Sequence, residues 1–289
     1  MATKEKFPTL PTEGYFPVES FKAAGLTPLS AAETKRLKEE SSVTESREEF
    51  EALVEREQTI LRAFFGKDVD VPPVPASISL EQYEKWKELN YDLHYIPEEE
   101  MTEDKNYPGW KKKPDRGLNL FSVFKDKKNK MAPDTLKLKH GWVLVDRREK
   151  PSYANGVRAE YPGDDPLVHA IEELRAEGHI GGDNLQGSRF RIAQEELQKS
   201  EVKQKLAEIF EVNPDQIRLP RAIEQNFLAN AHYPDWGDTN TYEWFEDLFQ
   251  GSGHLIGGHS GSGGLSYVSW GSAGSRSGSL GFRPLIVFS

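Results

Sequence analysis

The last 39 residues, 251–289, constrain the fold more than any other stretch of this chain. Eleven of them are Gly and ten are Ser, and none is Asp, Glu, Lys or Asn. On composition alone such a segment is a flexible tail. Its apolar residues argue otherwise: Leu255, Ile256, Leu265, Tyr267, Val268, Trp270, Leu280 and Phe282 are set through it, and it closes on Leu285-Ile286-Val287-Phe288. Disordered segments lack such residues, because nothing offsets the entropy lost in ordering them. The tail is therefore expected to be ordered, short-stranded and turn-rich, with its apolar end buried as a strand. Gly supplies the tight turns, and Ser a small, uncharged polar surface.

The segments before the tail are of a different kind. A short helix is expected at 29–40 with Ser30 as its cap. A longer one opens at Ser46, where Phe50, Leu53, Val54, Ile60, Leu61 and Phe64 share a face, and stops near Gly66,. That apolar face needs a partner, either the rest of the chain or another subunit. Val71-Pro72-Pro73-Val74-Pro75 reads as a linker or domain boundary,. Residues 1–75 are thus expected to form a helical segment with a proline-rich linker, and 76–289 a separate binding domain. Within the latter, Ser79 and Gln82 have the spacing of a capping box, and Tyr83 and Trp86 are core candidates. Strands are expected at 119–124 and 141–145, and helices at 166–177, 192–210 and 220–231.

Composition excludes several functions. The chain has no cysteine, so it has no disulfides, no thiolate metal site and no cysteine nucleophile,. A net charge of −10 argues against general nucleic-acid affinity,. The one basic run, Lys111 to Lys113 continuing to Arg116, Lys125, Lys127, Lys128 and Lys130, reads as a solvated loop. No stretch approaches the roughly 20 apolar residues of a membrane span. The first residues lack the pattern of a cleaved signal peptide. The expectation is cytoplasmic synthesis without membrane insertion, with display on a virion or surface left open.

Three segments carry a resemblance. Ile217-Arg218-Leu219-Pro220-Arg221-Ala222-Ile223-Glu224 leads Arg-Leu-Pro into a helix,. Asn240-Thr241-Tyr242-Glu243-Trp244-Phe245-Glu246-Asp247 follows. Last come Gly257-Gly258 and Ser279-Leu280-Gly281-Phe282-Arg283-Pro284. In this order they resemble the signature of the formylglycine-generating enzyme and sulfatase-modifying family. The likeness spans about 142–289, thins back to Ser79, and leaves out the first 75 residues. It implies an α+β domain of the C-type lectin fold, with irregular loops displayed on a rigid frame.

The chemistry of that family does not carry over. Its copper-binding cysteines are missing, and none of the seven histidines, His94, His140, His169, His179, His232, His254 and His259, has the His-x-x-x-His-x-Glu spacing of the related iron branch. His254 and His259 lack a neighbouring carboxylate and make a poor metal pair. Asp235, Asp238 and Asn240 could bind calcium or simply cap a turn. No catalytic residue, metal or cofactor is assigned, and the chain is expected not to be an enzyme.

Among cysteine-free members of this fold with a Gly-Phe-Arg ending are the variable proteins of diversity-generating retroelements. There, adenine-directed mutagenesis rewrites surface codons near the C-terminus. The stretch 251–281 resembles such a product, which implies a diversified surface that recognises a protein or host-surface ligand. The strongest contacts expected are His254, Leu255, Ile256, His259, Tyr267 and Arg276, since aromatic and Arg anchors dominate interfaces. Ser260, Ser262, Ser269, Ser272, Ala273, Ser275 and Ser277 complete the surface. Trp244, Trp270, Gly281, Phe282 and Arg283 are assigned to the scaffold, and Tyr242 to the core. The alternatives are an invariant lectin-like protein, a virion structural or adhesion protein, and a metal-dependent enzyme of the same superfamily. Oligomerisation through the N-terminal helices is compatible with each.

Overall fold

A computed structural model describes residues 30–154, 159–181 and 187–288. The chain divides into two compact units, Met1–Glu48 and Glu49–Ser289. In the first, the Ser30 hydroxyl accepts from the Glu33 amide at 3.2 Å while the Glu33 carboxylate accepts from the Ser30 amide at 2.8 Å. This reciprocal cap starts helix α1, Ala31–Phe65. One helix replaces the two expected, because the intervening Ser-Ser-Val-Thr-Glu at 41–45 holds no Gly or Pro to stop it,. The last turns of α1 belong to the second unit, where Leu53, Leu61, Phe64 and Phe65 are buried. The stripe read from the sequence is thus packed on its own chain. The helix stops at Gly66, with φ of +68°,.

The proline run expected as a boundary lies inside the second unit. Val71 is buried, and the Pro72 carbonyl accepts from the Trp142 indole at 3.2 Å. Helix α2 (Leu80–Glu88) begins at Ser79, whose hydroxyl accepts from the Gln82 amide at 3.1 Å. The second half of the expected capping box is absent. The Gln82 side chain turns away to donate to the Glu211 carbonyl at 3.1 Å.

Strands β1 (Tyr91–Ile96) and β2 (Arg116–Gly117) follow, then α3 (Leu120–Lys125). The strand expected at 119–124 is therefore a helix. Leu120 and Phe121 are buried, with Val123 and Phe124 packed behind them, a helical spacing rather than an alternating one. The Asn119 side chain caps it by accepting from the Ser122 amide. Next come β3 (Gly141–Asp146), α4 (Leu167–Ala176), α5 (Gln194–Leu197) and α6 (Ser200–Phe210). The single helix expected at 192–210 is broken, because Lys199 is extended (φ −64°, ψ 141°) and starts α6 as its N-terminal cap. The remaining elements are β4 (Ile217–Arg218), α7 (Ala222–Ala231), β5 (Tyr242–Phe249), β6 (Gly253–Gly257), β7 (Tyr267–Ser272), β8 (Leu280–Gly281) and β9 (Leu285–Phe288).

The second unit is thus mixed α+β with two sheets. One has the order β1-β3-β9-β4 and is antiparallel throughout. The apolar end of the chain, β9, lies in its interior, with Leu144 opposite Ile286 on one side and Ile217 opposite Ile286 on the other. Leu285, Ile286 and Phe288 are buried, as their composition requires. The other sheet has the order β2-β7-β6-β5-β8, an antiparallel core of three strands with a short parallel strand at each edge. Helix α7 contributes Ile223, Phe227 and Leu228, all fully buried. Among the described residues, no helix is long and apolar enough to cross a membrane.

Candidate ligand-binding face

The tail builds three strands of the second sheet and the loops between them. The β5–β6 turn uses left-handed backbone at Gln250 and Gly251, with φ of +53° and +85°. Register then decides what each residue does. Leu255 opposes Trp270, and Gly257 opposes both Glu243 and Val268. Directly opposed residues share a face, so Glu243, Leu255, Val268 and Trp270 project to one side of the sheet. Ile256 opposes both Trp244 and Ser269, and His254 opposes Leu248 and Gly271. These residues project to the other side. At Gly253 a Cβ would come within 2.8 Å of the Trp270 ring, and at Gly264 (φ +60°) within 2.6 Å of the Gly237 carbonyl. Glycine is needed at both because other groups occupy the space.

The second of these faces is the candidate site. His254, Ile256 and Ser269 are half-buried on it, and Leu248 beside them is 50% exposed. At its end Tyr242 stacks on His259 with ring centroids 4.5 Å apart, and Tyr267 lies 6.1 Å from Tyr242. Partial burial lowers the affinity of His254 and His259 for protons. Ser260 and Ser262 lie in the loop after β6. Ser272 and Ser277 are exposed, and Ala273 and Ser275 half-buried. The face thus mixes the apolar Leu248 and Ile256 with the polar His254 and Ser269, and ends in an aromatic group.

Four assignments require correction. Leu255, expected as a contact, is fully buried because alternation turns it inward. Trp270, expected as a buried anchor, is 46% exposed: it shares the side of Leu255 but lies beyond the core, with Phe249 at 5.6 Å as an aromatic neighbour. Tyr242, expected in the core, is half-buried in the aromatic group. Arg276 has its guanidinium on the Glu196 carboxylate, at 2.8 and 3.2 Å, so it ties its loop to α5. The same loop is held by the Glu195 amide on the Ala273 carbonyl and the Arg191 amide on the Ser277 carbonyl.

The other residues assigned to the scaffold, Trp244, Gly281, Phe282 and Arg283, are buried. The Trp244 indole donates to the Ile192 carbonyl at 3.0 Å. At Gly281 a Cβ would approach Phe190 to 2.9 Å. Phe282 is 1% exposed. Arg283 donates to Glu243 at 3.1 Å and to the Asp146 carbonyl at 2.5 Å, and its guanidinium lies 3.9 Å from the Trp236 ring centre. It therefore joins β5, β3 and the 234–237 turn. Beside it Lys150 is buried, donating to the Thr241 and Gly258 carbonyls, and burial lowers it to about 8.

Asn240, His254 and His259, weighed from sequence as metal ligands, have other partners. Asn240 spends its amide on the Tyr153 backbone, accepting at 2.6 Å and donating at 2.8 Å. His254 Nδ1 faces the Glu246 carbonyl while His259 stacks on Tyr242. A different set converges elsewhere. Glu57 of α1, His94 of β1 and His232 after α7 bring one donor atom each within 4.8 Å of one another. His94 Nδ1 is 3.0 Å from Glu57 Oε1, and His232 Nε2 is 3.7 Å from Glu57 Oε2. Burial opposes charge on Glu57, but His94, His232 and Arg56 outweigh it and lower the carboxyl to about 2. Burial pushes His232 down to about 3. No sequence spacing announces this group, since its members come from three distant segments.

No protein-family model matches the chain, and neither a curated protein nor a solved structure does.

Proposed function

We propose that this chain is a non-enzymatic ligand-recognition protein, and that the face formed by β5, β6, β7 and the loops beside them is its contact surface. The carrying observation is the division of labour within one short stretch. Between Gly251 and Gly281, Gly253, Leu255, Gly257, Leu265, Val268 and Leu280 are buried, whereas His254, Ile256, His259, Tyr267 and Ser269 are half-buried, Ser272 and Ser277 are exposed, and the single charged side chain, Arg276, is paired with Glu196. A rigid frame with interchangeable surface residues suits variable recognition. In this reading the frame is of the C-type lectin type, in the branch shared with formylglycine-generating enzymes, and the chain is a variable protein of a diversity-generating retroelement. Its affinity comes from Tyr242, His254, Ile256, His259 and Tyr267, with Leu248 as an exposed apolar anchor. Its partner is a protein or another molecule on a host surface.

Sequencing tests this directly. A near-copy of the codons for 251–289 beside a reverse-transcriptase gene is expected to differ from them only at its adenines. A base-for-base match, or differences spread over other bases, would overturn the retroelement reading. For the non-enzymatic part, metal-dependent turnover by the purified chain would do the same.

A further inference from the structure

We infer that Glu57, His94 and His232 form a binding site for one divalent cation of the zinc class, a site separate from the recognition face. The donor set is two imidazoles and a carboxylate, which suits a borderline ion and not calcium or magnesium, whose sites are built from oxygen. Ligand atoms around a tetrahedral zinc lie about 3.3 Å apart, given bonds of about 2.0–2.1 Å. The pairs His94 Nδ1–Glu57 Oε1 and His232 Nε2–Glu57 Oε2, at 3.0 and 3.7 Å through the two carboxylate oxygens, bracket that spacing, and one donor atom from each residue lies within 4.8 Å of the others.

A second observation points to a missing partner. His232 Nε2 is buried with no hydrogen bond, though its side chain is only 3% exposed and aimed at the Glu57 carboxylate. Buried polar atoms are seldom left so, and a cation between the two groups would satisfy both. The surroundings already orient the ligands. Tyr233 Oη is 2.6 Å from His94 Nε2, so a proton held there leaves Nδ1 free to bind. Arg56 and the Tyr95 amide hold Glu57 Oε1 and Oε2 respectively. Such outer contacts fix ring orientation in metal sites. The two imidazoles now lie 3.9 Å apart, tilted by 37°. Tetrahedral capture sets ring centres about 5 Å apart, so binding draws the rings away from each other. Three segments distant in sequence would be clamped at one point, which assigns the ion a structural role.

The test is a titration of the full-length chain, stripped with a chelator, with zinc and separately with cobalt(II). One ion per chain is expected, with no uptake of calcium or magnesium. His232→Ala and Glu57→Gln should abolish uptake, whereas His254→Ala with His259→Ala should leave it intact. Tyr233→Phe keeps the ring and removes the hydroxyl, and should weaken binding roughly 10–100-fold. Should His232→Ala unfold, His232→Cys provides the independent readout. In a chain without cysteine, a thiolate-to-cobalt charge-transfer band can arise only from that position. Absence of stoichiometric uptake, uptake unchanged in His232→Ala, or a folded His232→Cys chain whose cobalt spectrum lacks that band would each overturn the proposal. None of these results bears on the recognition face.

Discussion

Two buried ionisable residues, Arg283 and Asp247, decide how the frame behaves. Arg283 neutralises Glu243 and donates to the Asp146 carbonyl, with its guanidinium over the Trp236 ring 3.9 Å from its centre. Removing one partner of such a set leaves an uncompensated buried charge. Arg283→Ala is therefore expected to cost about 3–5 kcal/mol in urea unfolding. Arg283→Lys should recover only part of that, since an ammonium cannot reproduce the planar fork. Asp247 works in the opposite sense. It is fully buried, its Oδ2 accepts from the Ala222 amide at 2.6 Å, and burial raises its carboxyl to about 7. The native state then keeps a proton that the unfolded state releases near its ordinary 3.8. Its contribution to stability is thus full below that value and is lost as pH rises through about 7. Asp247→Asn retains the acceptor and cannot ionise. Its stability relative to the unsubstituted chain should climb between about pH 4 and pH 7 and then level off. A difference that stays constant over that range would show the carboxyl to be ionised throughout.

At the scale of elements, the informative case is α1. Its second half is core: Leu61 is fully buried, and Phe64 meets Phe227 of α7 edge-on at 5.0 Å. Leu61→Ala should cost about 2–5 kcal/mol, and Phe64→Ala about 3–5 kcal/mol, through the cavities left behind. A chain starting at Glu49 keeps these contacts and should unfold cooperatively, whereas one starting at Ala76 loses them and should not fold. Denaturant curves on the two truncations measure this. The sequence revealed the apolar stripe of α1 but not its partner, because periodicity shows which face is buried and not what covers it. It placed β3, α4, α7 and β9 well, since each is a clear periodic or wholly apolar run. It misread 119–124, where four apolar residues in six fit strand and helix alike. The proline run was taken for a boundary because stiffness was visible and the Trp142 contact was not. In the tail, residue alternation was legible only in part. It could not reveal that Trp270 lies past the edge of the core, or that Glu196 reaches across to hold Arg276. The Glu57, His94 and His232 group was invisible for a simpler reason: only the packing of α1 against β1 and α7 creates it.

For the molecule as a whole, the proposed recognition role requires that surface and frame be energetically separate. If 251–281 is rewritten in nature, substitutions on the outward face must leave the fold standing, whatever they do to binding. Ser272, at the end of β7, and Ser277, in the loop before β8, are exposed, and Ser269 is half-buried on the side of the sheet opposite Leu255 and Val268. Surface changes away from special features usually stay within about 0.5 kcal/mol. Ser272→Tyr and Ser277→Tyr should each fall in that range and add when combined, as separate sites do. Trp244 opposes Ile256 from the same face but is fully buried, its indole bonded to Ile192. Trp244→Ala should cost about 3–5 kcal/mol, because it opens the layer between the sheet and the 188–196 segment. Urea unfolding of all four variants compares the two classes in one experiment. Large losses from the two serine positions would mean that the surface and the frame are one structure, and a protein built that way could not carry a diversified face.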